Sequence, residues 1–133
     1  MGTEMAIKSV KDMVKAAKAE ITTLSLEDTK AKADAGEALL VDIRDPRELA
    51  REGRIPGAYH APRGMLEFWI SPDSPYFKEA LATDKILILF CAGAARSALS
   101  AKTLQDMGVE NVAEMAGGFG AWREAGLPVD KDG

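Results

Sequence analysis

Apolar residues recur along this chain in two rhythms. Ile7, Val10, Val14 and Ala17 return every three or four positions with lysines between them, which predicts an amphipathic helix over residues 7–19 lying on the domain. Elsewhere apolar residues are consecutive, the pattern of strands covered on both faces: residues 38–43 (ALLVDI) and, most strongly, residues 86–90 (ILILF). Shorter extended pieces are predicted at residues 21–24, around Tyr59 and His60, and within 109–115. Between the strands lie helix signals. Ser25 can cap a helix running to Ala35, with Asp28 at its positive end and Gly36 beyond it, and Asp45-Pro46 opens a short helix that Gly53 stops. Residues 97–107 carry a broad apolar band ending at Gly108, and after a tight Gly117-Gly118 turn a last helix spans 119–125. Strands alternating with helices predict an α/β sheet.

Nothing in the pattern divides the chain, since there is no repeat, low-complexity tract or linker, and 133 residues suffice to bury one core. The expected organisation is an N-terminal amphipathic helix (1–21) packed on a domain formed by 22–133. Composition is that of a globular protein, 47% hydrophobic and 29% charged, with a formal net charge of -4 that argues against a nucleic-acid partner. No apolar run approaches the roughly 18 residues of a membrane-spanning helix, so no membrane association is expected. One cysteine cannot form an intramolecular disulfide, which makes a reducing cytoplasm the default location. One histidine, His60, leaves no His-rich metal cluster, and neither metal nor cofactor is expected.

The single cysteine is where chemistry concentrates. Cys91 directly follows the strongest strand and begins CAGAARS (91–97), which enters a helix; in open α/β sheets, ligands bind beyond the carboxyl ends of strands. Three effects there favour a thiolate: the positive end of the helix, the backbone N–H groups that Ala92, Gly93, Ala94 and Ala95 can turn inward as a nest, and the cation of Arg96. Cys91 as a small buried hydrophobe is the alternative. Asp42 and Arg44, at another strand end, belong to a stretch that resembles one in a known family; they are expected to hold neighbouring loops together, since a buried carboxylate needs partners, with direct catalysis the lesser alternative. A Cys–His pair with His60 requires the fold to bring the two together. Met65, Phe68, Trp69 and Phe119 could wall a pocket or simply pack.

VDIRDPREL (41–49), GRIPGAYHAP (53–62), CAGAARS (91–97) and GGFGAWREAGLPV (117–129) together resemble the rhodanese sulfurtransferase domain, in the family's order over roughly residues 22–129. The resemblance implies a central, mostly parallel sheet flanked by helices on both faces, with Cys91 carrying a transferable sulfur as a persulfide and Ala92, Gly93, Ala94, Ala95, Arg96 and Ser97 forming the substrate-binding loop. It also implies a small sulfur donor (thiosulfate or a persulfide), a thiol or cyanide acceptor, and room for a protein donor or acceptor. Arg54 stands where the family usually has His. The uncharged loop side chains put thiosulfate in doubt as the physiological donor. Two other functions fit: a catalytically quiet rhodanese-like binding module, and a Cys-dependent phosphatase. Against the phosphatase stand the four residues between Cys91 and Arg96, where such enzymes carry five.

Overall fold

The computed structural model describes residues 7–131. Its elements in chain order are α1 (Val10–Lys18), β1 (Thr23–Leu24), α2 (Leu26–Asp34), β2 (Ala38–Asp42), α3 (Pro46–Glu52), β3 (Tyr59–His60), α4 (Leu66–Ile70), β4 (Ile86–Phe90), α5 (Ala95–Asp106), β5 (Val112–Met115) and α6 (Gly118–Glu124). The strands form one sheet in the order β1-β5-β4-β2-β3, and every neighbouring pair is parallel. β4 lies at the centre, its five residues paired one to one with β2.

Because β2 and β4 are covered on both faces, alternate side chains feed two separate cores. Leu87, Leu89 and Val41 join Leu66, Ala101, Leu104 and Cys91 on one face; Ile88, Phe90 and Leu40 join Met115, Phe119 and Trp122 on the other. Helices flank the sheet on both sides, as the resemblance implied.

Two helix starts follow their sequence signals. Ser25 Oγ accepts from the Asp28 N–H at 3.0 Å, and Asp45 and Glu48 form a reciprocal capping box with Pro46 at the first helical position. Three expectations are corrected. α5 begins at Ala95, two residues before the predicted start, because the turn out of β4 is complete at Ala94 and Ala95 and Arg96 then join the first helical turn. The first strand shrinks to Thr23–Leu24, while Ile21 packs into the core as partly buried loop. On α1, which packs along α5, Ala17 is buried and Val14 half-buried, but Val10 is 60% exposed, and Ile7, 95% exposed, precedes the helix, which starts at Val10 rather than at the predicted residue 7. The apolar stripe continues N-terminally beyond the surface it could cover. Residues 1–6 and 132–133, at the edges of the two expected segments, lie outside the described residues.

Candidate functional site

The site is assembled at the carboxyl end of the central strand. β4 ends at Phe90, and Cys91 through Ala94 turn the chain into α5, whose N-cap, Ala94, supplies no side-chain hydrogen bond. The first turn of this 12-residue helix therefore keeps its orphan N–H groups unspent. A second helix fixes the loop's orientation. The N–H groups of Phe119 and Gly120, at the start of α6, donate to the carbonyls of Cys91 (2.8 Å) and Ala92 (3.0 Å). With those carbonyls drawn toward α6, the N–H groups of Ala92, Gly93, Ala94 and Ala95 have no backbone acceptor among the described residues. Gly118 makes this approach sterically feasible: a Cβ there would lie 2.6 Å from the carbonyl oxygens of both Cys91 and Gly93, and its φ of +66° suits glycine.

Cys91 itself is 1% exposed, at the floor of the loop, whereas Gly93 and Ala95 are exposed at its rim. Its Sγ lies 3.7 Å from Ser97 Oγ, which donates in turn to Glu114 Oε1 at 2.7 Å. Ser97 is fully buried, as is Glu114.

Arg96 is not the free cation that the sequence suggested. Its two terminal nitrogens donate to the two carboxylate oxygens of Glu48 at 2.8 and 3.0 Å, a two-pronged pair that ties the start of α5 to α3. The Arg96 hydrogen bond holds the Glu48 carboxyl at about 2, well below its ordinary 4.5. Glu48 raises Arg96 in return, and the nearby Cys91 adds to that rise. Sequence reasoning missed Glu48 as a site residue, because Arg96 lies 48 positions away along the chain and nothing local in the sequence links the two.

Asp42 and Arg44 form a buried pair. Arg44 Nε lies 3.0 Å from Asp42 Oδ1, and Nη2 donates to Asp42 Oδ2 at 2.8 Å and to the Gly53 carbonyl at 2.9 Å. The guanidinium carbon lies 4.0 Å from the centre of the Phe119 ring, so the pair braces α6 beneath the Cys91 loop. His60 is directed elsewhere: its Nε2 lies 2.7 Å from the Arg44 carbonyl, and no hydrogen bond joins it to Cys91 among the described residues. Of the candidate wall residues, Phe119 is wholly buried beneath Arg44, Trp69 stacks edge-on with Tyr59 at 6.4 Å, and Phe68 is exposed. The described residues contain no cluster of three metal-ligating side chains, and no helix among them is long and apolar enough to cross a membrane.

Sequence reasoning also missed Glu114. The available signal was one acid inside an otherwise apolar strand, VAEM, but its hydrogen-bond partners Lys18 and Thr23 lie 96 and 91 residues earlier in the chain.

Comparison with known proteins adds four similarities. The family profile described as the rhodanese-like domain matches residues 25–125. A sulfurtransferase from Allochromatium vinosum is 33% identical over 97 residues, 73% of this chain and 82% of that protein. Among solved structures, a Rhodopseudomonas palustris protein of unknown function, described as a possible tyrosine phosphatase, superposes with a TM-score of 0.89 at 50% identity, covering 94% of this chain and 96% of that one. A homodimeric polysulfide-sulfur transferase from Wolinella succinogenes gives a TM-score of 0.68 at 35% identity, covering 90% and 85%.

Proposed function

This chain belongs to the rhodanese-like domain family, and from that premise we propose that it is a sulfurtransferase whose Cys91 carries the sulfur in transit. The Cys91 thiolate attacks the outer sulfur of a donor. The donor's S–S bond breaks, its leaving group departs with the electron pair (sulfite from thiosulfate, a thiolate from an organic persulfide), and Cys91–S–S⁻ remains. An acceptor nucleophile, a thiol or cyanide, then takes the outer sulfur and returns the Cys91 thiolate. The observation that carries this proposal is the anchoring of the loop: with the Cys91 and Ala92 carbonyls committed to α6, the amides of Ala92 through Ala95 are free to receive a negative outer sulfur. A disulfide-type bond of about 2.05 Å carries that sulfur from the buried Sγ toward the exposed rim at Gly93 and Ala95. The cycle calls for neither a metal nor an organic cofactor.

Charge narrows the donor class. Ala92, Gly93, Ala94 and Ala95 bring no side-chain charge, and Glu48 neutralises Arg96. This favours organic or protein-bound persulfides over the thiosulfate dianion, which a free cation would attract. The same pairing weighs against phosphate hydrolysis, because the two-pronged face of Arg96 is already occupied by a carboxylate. A quiet partner-binding module is the second candidate, and the 1% exposure of Cys91 is the observation in its favour.

Intact mass after incubation with thiosulfate, polysulfide and an organic persulfide tests the proposal. The protein should gain about 32 Da, one sulfur, with at least one donor, and Cys91→Ser should gain none. No gain with any donor would leave the module, and hydrolysis of an aryl phosphate that is lost in Cys91→Ser would establish the phosphatase.

A further inference from the structure

Glu114 is a carboxylate at 0% exposure in the middle of a hydrophobic sheet, which is costly unless its oxygens are well occupied. They are occupied from three elements. Oε1 accepts from Ser97 Oγ of α5 at 2.7 Å, while Oε2 accepts from Thr23 Oγ1 of β1 at 2.9 Å and from Lys18 Nζ of α1 at 2.7 Å. Lys18 and Thr23 both precede residues 25–125, the span matched by the family profile. The donors run in a single direction, from the Cys91 thiol to the Ser97 hydroxyl and from that hydroxyl to the Glu114 carboxylate.

We propose that Ser97 and Glu114 are the proton outlet of Cys91, with Lys18 holding the carboxylate in place; the role presupposes the sulfur-transfer function, since it serves to make the nucleophile. A thiol that is 1% exposed has little water to receive its proton, and the one imidazole of the chain is committed to the Arg44 carbonyl. In the step proposed, the Cys91 S–H bond breaks and its proton forms a bond to Ser97 Oγ. The original Ser97 proton passes to Glu114 Oε1. The products are a thiolate that accepts from the Ser97 hydroxyl and a neutral carboxylic acid that donates to Ser97 Oγ. One negative charge is present before and after.

The other charged groups nearby are already paired. Arg96 faces Cys91 but is held by Glu48. On the outer side of α1 and α5, Lys102 lies 3.3 Å from Glu20 and 2.7 Å from Asp106. Thus Glu114 is the carboxylate joined to the thiol through a single hydroxyl, that of Ser97, which lies 3.7 Å from the reacting sulfur.

The outlet is tested by following alkylation of Cys91 with iodoacetamide, a neutral reagent, against pH in the intact protein. In Ser97→Ala and Glu114→Gln the rate at neutral pH should fall about tenfold or more, with the profile displaced at least about one pH unit toward alkaline and the limiting high-pH rate retained. Ser97→Thr, which restores a hydroxyl, should recover most of the loss. Two results would overturn the proposal: alkylation as fast as or faster than wild type at every pH, expected if Glu114 only repels the thiolate, or an equal slowing at all pH values, expected if access alone changed. Should Glu114→Gln fail to fold once Lys18 loses its partner, Ser97→Ala still decides, because it leaves the Lys18–Glu114–Thr23 contacts in place. Persulfide formation is read separately by mass, so a protein that still gains sulfur with an unchanged alkylation profile refutes the outlet and leaves the transfer function intact.

Discussion

Arg44 is fully buried, and four hydrogen bonds from its side chain and backbone N–H reach Asp42. A charge pair removed from water gains little over an apolar pair of the same size, but losing one partner leaves the other as an uncompensated charge. Asp42→Asn should therefore cost about 3–5 kcal/mol, since a neutral amide cannot balance the cation. Urea denaturation would measure it, and a loss under about 1 kcal/mol would mean that solvent reaches Arg44 after all. The two residues are singled out in the sequence by the family's Val-Asp-x-Arg stretch at a strand end, with a structural role expected of them. What the sequence could not convey was the third participant: Phe119 lies 75 positions further on, and its ring face completes the guanidinium's surroundings. The Arg96–Glu48 pair escaped notice for a similar reason, since its members are 48 residues apart.

At the scale of elements, recognition from sequence succeeded where structure is dictated locally and failed where it depends on distant surfaces. The caps at Ser25 and Asp45, and the consecutive apolar residues of β2 and β4, are local statements that hold in the fold. The reach of the apolar stripe on α1 and the start of α5 are not. The first depends on how far the covering surface extends, and the second on whether Ala94 and Ala95 count as loop or helix, which their propensity alone does not decide. Gly117-Gly118 read as a turn, but Gly118 also opens α6 and lets it press against the loop carbonyls. Gly118→Ala should accordingly cost clearly more than Gly36→Ala. Both sites have positive φ, +66° and +76°, but a Cβ at Gly36 meets nothing within 4 Å while one at Gly118 would meet three carbonyl oxygens within 2.8 Å. Backbone strain alone accounts for about 1–3 kcal/mol at either position, and the excess at Gly118 reports the collision. Equal losses on thermal or urea unfolding would show that α6 can back away from the Cys91 loop at no cost.

Across the whole molecule, the Glu48–Arg96 pair joins α3, which follows β2, to α5, which follows β4, and so clamps together the connections leaving the two central strands. That clamp makes stability depend on pH in a calculable direction. Hydrogen bonding to Arg96 lowers the folded Glu48 carboxyl to about 2, against 4.5 for the ordinary group. A carboxyl lowered on folding binds fewer protons in the folded than in the unfolded chain, so its contribution is fully present above about pH 4.5 and is lost as pH falls toward about 2. Asp45 is also lowered to about 2, mainly by its side-chain hydrogen bond to Arg47, and contributes acid sensitivity in the same window. Because Asp45 is retained when Glu48 is replaced, comparing wild type with Glu48→Gln isolates the clamp. Wild type should be the more stable protein near neutrality, and the gap between the two melting temperatures should close on acidification through that window. A constant gap would mean that Glu48 keeps its ordinary proton affinity in the folded protein, that Arg96 is free to attract anions, and that the preference for organic or protein-bound persulfide donors has lost its electrostatic basis.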